Sequence, residues 1–304
     1  MFRRMKLIQF LRRASLQIGD RTISPELLTD QLRVVFTIDK TQSSDAANKS
    51  TIEVYNLSKT TRDDYIEKGL PIILKVGYAS SSALEVIFKG VITDFAHQFK
   101  PPEVVTKIKC GDGTVQLKKA MISVALTDKN SNTLTAIKLV IDAMSKKLGE
   151  EVVLDDWTQL TPNLYKQMTI GWNHNGSAKA ALDELTKSDN LVWSYQNGVI
   201  RLLRLGQYVP QDIEVISEET GMIGIPDRFG EINKKKQDNS STTDDKDGFL
   251  VKTLIKPKVE PGVTVKIISK KLNLKEDGEY SVTDVKHTGD THGTPWMSKI
   301  KVTM

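Results

Sequence analysis

TIEVYNLSKTTRD, residues 51–63, is the stretch from which the rest of the chain can be read. Thr51 to Leu57 reads as a strand: Ile52 and Val54 point one way, Thr51 and Glu53 the other, and Tyr55 and Leu57 supply bulk. Asn56 breaks the apolar run. Ser58 is placed to cap a short helix whose first turns hold Lys59, Thr60, Thr61 and Arg62, with Tyr65 and Ile66 as its apolar side. Gly69 suits a left-handed closing residue, and Pro71 prevents continuation. A new strand starts at once, with Ile72, Leu74 and Val76 alternating with Ile73, Lys75 and Gly77. The unit is strand, corner, short helix, strand. Nothing in it is set up as an acid, base or nucleophile, so it reads as architecture.

Short alternating segments continue on both sides. Gly19-Asp20 is a hairpin turn between Ser15–Ile18 and Thr22-Ile23. Arg33–Asp39 alternates with Val34, Phe36 and Ile38 inward, and the polar run Gln42–Ser50 reads as a loop. Leu84, Val86, Phe88 and Ile92 share one face, with Gly90 as a candidate bulge. Pro101-Pro102 marks a turn before the alternating strand Val104–Cys110. Such strands with turns between them predict a barrel or sandwich over residues 1–122.

The character then changes. Asn132 or Thr133 opens a helix with Leu134, Ile137, Ile141, Met144 and Leu148 on one side, closed by Gly149. Ser177 opens a second, with Ala178, Ala181, Leu182 and Leu185 on its apolar face and Asn190 at its end. Leu191–Tyr195 and Val199–Leu205 flank Gln196-Asn197-Gly198, a hairpin signal. Residues 123–206 are therefore a small α/β module. Residues 207–304 return to strands, at Phe249–Ile255, Val263–Ser269, Tyr280–Val285 and Ile300–Met304. The polar segment from Asp227 to Gly248, including 231–248, lacks apolar residues and reads as a flexible loop, with Lys234–Asp247 mobile. The fold class is α+β, mainly β: two β-barrel or sandwich domains with an intervening α/β module. The two β parts read as versions of one fold, without a strong sequence repeat between them.

Composition excludes several functions. Hydrophobic residues make up 39% and charged residues 27% of the 304, which suits a globular chain of two or three domains. No apolar run is long enough to insert in a membrane. The single cysteine, Cys110, rules out an internal disulfide and reads as a small buried hydrophobe. The net charge is +5, yet residues 1–13 hold Arg3, Arg4, Lys6, Arg12 and Arg13 without an acid. Without them the remainder balances at 38 against 38, a distribution that does not favour a nucleic-acid-binding body. The basic arm, 1–13, reads equally as a segment crossing to a neighbour, a lead into the first strand, or a frayed end.

Catalytic signatures are missing. There is no Gly-x-Ser-x-Gly, no His-Glu-x-x-His and no P-loop. Glu150-Glu151, Asp155-Asp156 and Glu218-Glu219 are adjacent acids that suit solvated loops better than a glycosidase pair. His287, Asp290 and His292 invite a metal reading, but they fall in a Thr-Gly-Asp-Thr-His-Gly turn without ligand spacing. No catalytic, cofactor-binding or metal-ligating residue is assigned, and no cofactor is expected.

The Val-Tyr-Asn-Leu-Ser corner, followed by a short helix and Lys75-Val76-Gly77-Tyr78, resembles the first domain of bacteriophage baseplate hub proteins. Gly278-Glu279-Tyr280-Ser281-Val282, then residues 285–293 and Trp296, resemble the closing strands of the same family. The resemblance implies tail-tube-like β domains in a homotrimeric ring of a contractile tail. That ring would link the tail tube, or a tube adaptor, to the central spike and to other baseplate proteins. Genome DNA would pass its lumen without specific binding. It further implies a structural, non-enzymatic protein of the virion, assembled in the host bacterial cytoplasm. The alternative is a tail-associated module that binds or degrades cell wall.

Overall fold

The computed structural model describes residues 11–24, 32–42, 48–79, 83–112, 120–128, 131–149, 151–155, 165–168, 170–204, 213–229, 248–269 and 278–303. Two expectations fall outside these residues: most of the basic arm, at 1–10, and the loop segment 231–247.

The organising corner forms as its residues dictate. Ile52 and Val54 are fully buried. Asn56 takes a left-handed φ of 57°. Its amide donates to the Val104 carbonyl (2.8 Å) and its Oδ1 accepts from the Val104 amide (3.0 Å), so the chain turns without losing its last ladder partner. Ser58 Oγ accepts from the Thr61 amide at 3.1 Å. The helix that follows is one wide turn, Thr61–Tyr65. The Tyr65 hydroxyl donates to the Ile18 carbonyl (2.8 Å) and ties this turn to the turn at Gly19-Asp20.

Seven strands surround that corner: β1 (Arg12–Ile18), β2 (Arg21–Ser24), β3 (Val34–Thr41), β4 (Lys49–Tyr55), β5 (Pro71–Tyr78), β6 (Glu85–Lys100) and β7 (Glu103–Gly111). They pair antiparallel in the order β3-β4-β7-β6-β5-β1-β2. The expected loop Gln42–Ser50 is shorter, since Lys49 and Ser50 already pair with β3. Gly90 is not a bulge. The extra residues in β6 are Ile87, opposite β5, and Thr93, opposite β7. Gly90 is needed because a Cβ there would run into the Gly111 carbonyl oxygen.

The module contains β8 (Met121–Leu126), α1 (Thr133–Leu148), β9 (Val153–Leu154), β10 (Trp172–Ser177), α2 (Ala178–Ser188), β11 (Leu191–Gln196) and β12 (Val199–Arg204). Asn132 Oδ1 caps α1 through the Thr135 amide (3.0 Å), and Gly149 closes it with φ 69°. Ser177 caps α2 the same way through Ala180 (3.2 Å). Both helices pack their predicted faces into one core with β11 and β12, including Ile137, Met144, Leu182, Trp193 and Leu202. The strands β8, β9 and β10 were not evident in the sequence. β9 spans two residues, and β10, WNHNGS, is polar.

The C-terminal region adds β13 (Glu214–Ser217), β14 (Asp227–Phe229), β15 (Gly248–Leu254), β16 (Thr264–Ile268), β17 (Glu279–Asp290) and β18 (Trp296–Thr303). Both ends of the stretch expected to be unstructured, Asp227–Phe229 and Gly248, are thus paired strand. β17 pairs antiparallel with β3 from Asp284↔Thr41 to Asp290↔Val35. One sheet therefore runs through both β regions, and Ile255 and Trp296 bury into the N-terminal core.

A repeat links the two regions. Four consecutive strands take the same spatial order in each, β4-β7-β6-β5 and β15-β18-β17-β16. In both, the third strand carries a one-residue bulge at a threonine, Thr93 or Thr283. Each threonine hydroxyl donates to the carbonyl of a lysine on the fourth strand, Lys109 (3.0 Å) or Lys301 (3.3 Å). Four residues on, His97 Nδ1 meets Thr106 Oγ1 at 3.0 Å and His287 Nδ1 meets Ser298 Oγ at 2.8 Å. The sequences agree once the bulges are aligned: ITDFAH (92–97) with VTDVKH (282–287), and KIKC (107–110) with KIKV (299–302). A short sequence repeat is therefore present, confined to this hairpin and too local to amount to a strong repeat along the chain.

Candidate assembly site

The three cores meet at the tip of the β11–β12 hairpin. Asn197 holds φ 55° in the turn. Its Oδ1 accepts from the Lys89 amide of β6 (3.0 Å) and its Nδ2 donates to Glu260 Oε1 (2.6 Å). Gln196 Nε2 donates to the Thr41 carbonyl and Gln196 Oε1 accepts from Asn48 Nδ2, both at 2.8 Å. The tip thereby binds the end of β3, the middle of β6 and the loop before β16.

Glu260 is the hub of this junction. Lys40 Nζ, on β3, lies 2.7 Å from its Oε1, and Arg201 Nη1, on β12, lies 2.8 Å from its Oε2. Arg201 also pairs with Asp155 at 2.9 Å. Burial pushes the Glu260 carboxyl up, but the Lys40 and Arg201 charges overcome that and hold it below the usual carboxylate range. One carboxylate thus ties together a lysine from the N-terminal sheet, an arginine from the module and its own C-terminal loop. His287 is buried beside the same charges. Burial first, and the Lys40 charge second, push its imidazole down to about 3, so it is neutral.

The residues of the metal reading are placed apart in role. His287 and Asp290 belong to β17, and the turn is displaced to 291–294. His287 bonds Ser298 inside the sheet. Asp290 receives Arg33 (2.9 Å) and the His292 amide (2.9 Å), which hold its carboxyl below the usual range against a burial effect that raises it. Among the described residues no three His, Cys, Asp or Glu side chains converge as a metal site requires. The Cys110 thiol is buried and pushed up to about 12, which leaves it unreactive. Among the described members of the acidic pairs, Asp155 is bound to Arg201, and Glu218 accepts from Ser269 Oγ at 3.3 Å. Among the described residues no helix is long and apolar enough to cross a membrane.

A second feature points outward. β6 pairs with β5 only as far as Val91, while its pairing with β7 continues to Lys100↔Glu103. The distal half of this hairpin therefore presents an unpaired edge among the described residues, with Phe99 73% exposed near its tip. Neither this edge nor the junction was legible as a site in the sequence, since Glu260, Arg201 and Lys40 are far apart along the chain.

A family profile described as baseplate hub gp41 matches residues 11–302. The chain belongs to that baseplate hub family. It is a structural component of the virion tail baseplate. Among curated proteins no sequence match is found. The hub's fold is shared with a tail protein from Neisseria meningitidis MC58 (TM-score 0.63, 10% identity, 97% of each chain covered). It is shared as well with a 43 kDa tail protein of prophage MuSo2 from Shewanella oneidensis (TM-score 0.58, 11% identity, 96% of the hub and 98% of that chain). The E. coli protein c3393, a type VI secretion component similar to bacteriophage T4 tail proteins gp27 and gp5, matches with TM-score 0.57 and 11% identity, over 95% of the hub and 76% of that chain.

Proposed function

We propose that the hub is a homotrimer whose two β regions form the wall of a ring between the tail tube, or a tube adaptor, and the central spike. The single observation that carries this reading is the repeat. Two units of identical strand order, joined side by side by the β17–β3 ladder, give one chain two comparable ring positions. Three such chains present six positions above and three below, which suits a sixfold tube meeting a threefold spike. In this reading the chain divides at about 122 and 206, and the module between is the part directed to other baseplate proteins, a division supported by the separate core that α1, α2, β11 and β12 share. The role is mechanical rather than enzymatic, and assembly takes place in the host cytoplasm. Native mass spectrometry of the full chain, with and without its spike, tests the reading. A trimer alone, or a monomer that becomes a trimer with the spike, is expected. A stable dimer in both conditions would overturn it.

A further inference from the structure

The two repeats differ in one systematic way on the solvent face of the sheet. In the N-terminal unit, Lys107 of β7 is opposite Glu53 of β4 and pairs with it at 3.2 Å, while the other neighbour is Ala96 of β6. At the matching places of the C-terminal unit, Lys299 of β18 is opposite Lys252 of β15 on one side and Lys286 of β17 on the other. A Glu-Lys-Ala row has become Lys-Lys-Lys. All three lysines are exposed. Among the described residues Lys286 has Asp39 at 3.1 Å, and Lys252 and Lys299 have no ion-pair partner. Lys301, two residues along β18, is also exposed and lies over the Phe229 ring at 5.0 Å.

Like charges directly opposite on neighbouring strands are destabilising. The N-terminal unit shows that this fold does not need them. We propose that the row Lys252, Lys299 and Lys286 binds the phosphate backbone of duplex DNA, without regard to base sequence. The occupant is argued from chemistry. Lysines in a row supply point charges without a fork geometry, which suits phosphates met in any register. Thr37, Thr288 and Lys49 lie near the row, as do the apolar Leu250, Leu254 and Met297, but the three lysines themselves are the residue type in which the centre of a protein interface is poor. The overall balance of charge hides this patch, in which Asp39 meets Lys286 and Asp284 is opposite Lys301 while Lys252 and Lys299 are left to the row itself.

The test is fluorescence anisotropy of a labelled duplex with the full chain over a salt series. The variant is Lys252→Glu with Lys286→Ala, which gives the second unit the composition of the first and restores a Glu-Lys pair to Lys299. A second variant, Arg3→Ala with Arg4→Ala and Lys6→Ala, controls for the basic arm, and thermal melts confirm folding. Wild type is expected to bind with a log–log salt slope that falls by about 2 to 3 in the row variant, at roughly 0.9 for each phosphate no longer neutralised. Should the row variant fail to fold, Lys252→Gln with Lys299→Gln is read the same way. Absence of DNA binding by wild type at low salt, an unchanged slope in the row variant, or loss of binding only in the arm variant would each overturn the proposal. So would a change of oligomeric state with DNA binding intact, which would make the row a protein interface.

Discussion

His97 and His287 occupy equivalent places and make the same bond, yet only His287 is fully buried; its charged neighbours are Lys40 and Glu260, where those of His97 are Arg62 and Asp63. Its folded-state pKa lies far below the unfolded value, so the unfolded chain takes up a proton that the folded chain refuses. The stability this contributes is complete above about pH 6.5 and is lost as pH falls from there toward 3, on the order of 5 kcal/mol in full. Glu260 adds to the loss in acid, since its lowered pKa favours the folded state only while it is ionised. Urea denaturation at pH 7 and pH 4 checks this. His287→Gln keeps a partner for Ser298 without the proton uptake and is expected to lose less stability between the two pH values than wild type. Equal losses would contradict the assignment. The sequence placed His287 in a turn because the Gly- and Asp-containing run 288–293 follows it; Gly289 instead lies in the strand, where a Cβ would strike the Phe36 ring. A glycine kept for close packing and a glycine kept for a turn look alike in one dimension.

Among the elements, the hairpins decide both cohesion and assembly. The β11–β12 tip carries the junction, and Glu260→Gln leaves Lys40 and Arg201 without their shared anion. A loss of about 3–5 kcal/mol is expected from breaking so buried a pair, read as a shift of the denaturation midpoint. The β6–β7 hairpin carries the exposed edge. Phe99→Asp is expected to leave the melting temperature unchanged and to reduce incorporation into tails, measured by co-sedimentation. Normal incorporation would remove this edge from the assembly surface. The local elements were legible: the corner at 51–63, the caps Asn132 and Ser177 and the turn at Asn197-Gly198 all form where their residues predict. What was not legible depends on distant pairing. The short strands β9 and β14 exist only because β12 and β15 lie beside them. The repeat was obscured because it survives in two short stretches only, where the bulge, its threonine and the lysines beside it constrain the residue type.

At the scale of the whole molecule, one sheet runs through both β regions, and the module is pinned to it by Glu260 and by the bonds of Gln196 and Asn197. A ring wall has to resist shear, and a sheet continuous through β3 and β17 transmits load along backbone hydrogen bonds rather than through side-chain packing alone. Family membership and this continuity together point to a position in the wall of the tail's central ring. Electron cryo-microscopy of the assembled virion tail tests it most directly. Three copies of this chain are expected in a ring at the junction of tube and spike, with β3 and β17 side by side in its wall. Density for the chain at the tail fibres or along the sheath, or in a number of copies other than three at that junction, would contradict the account.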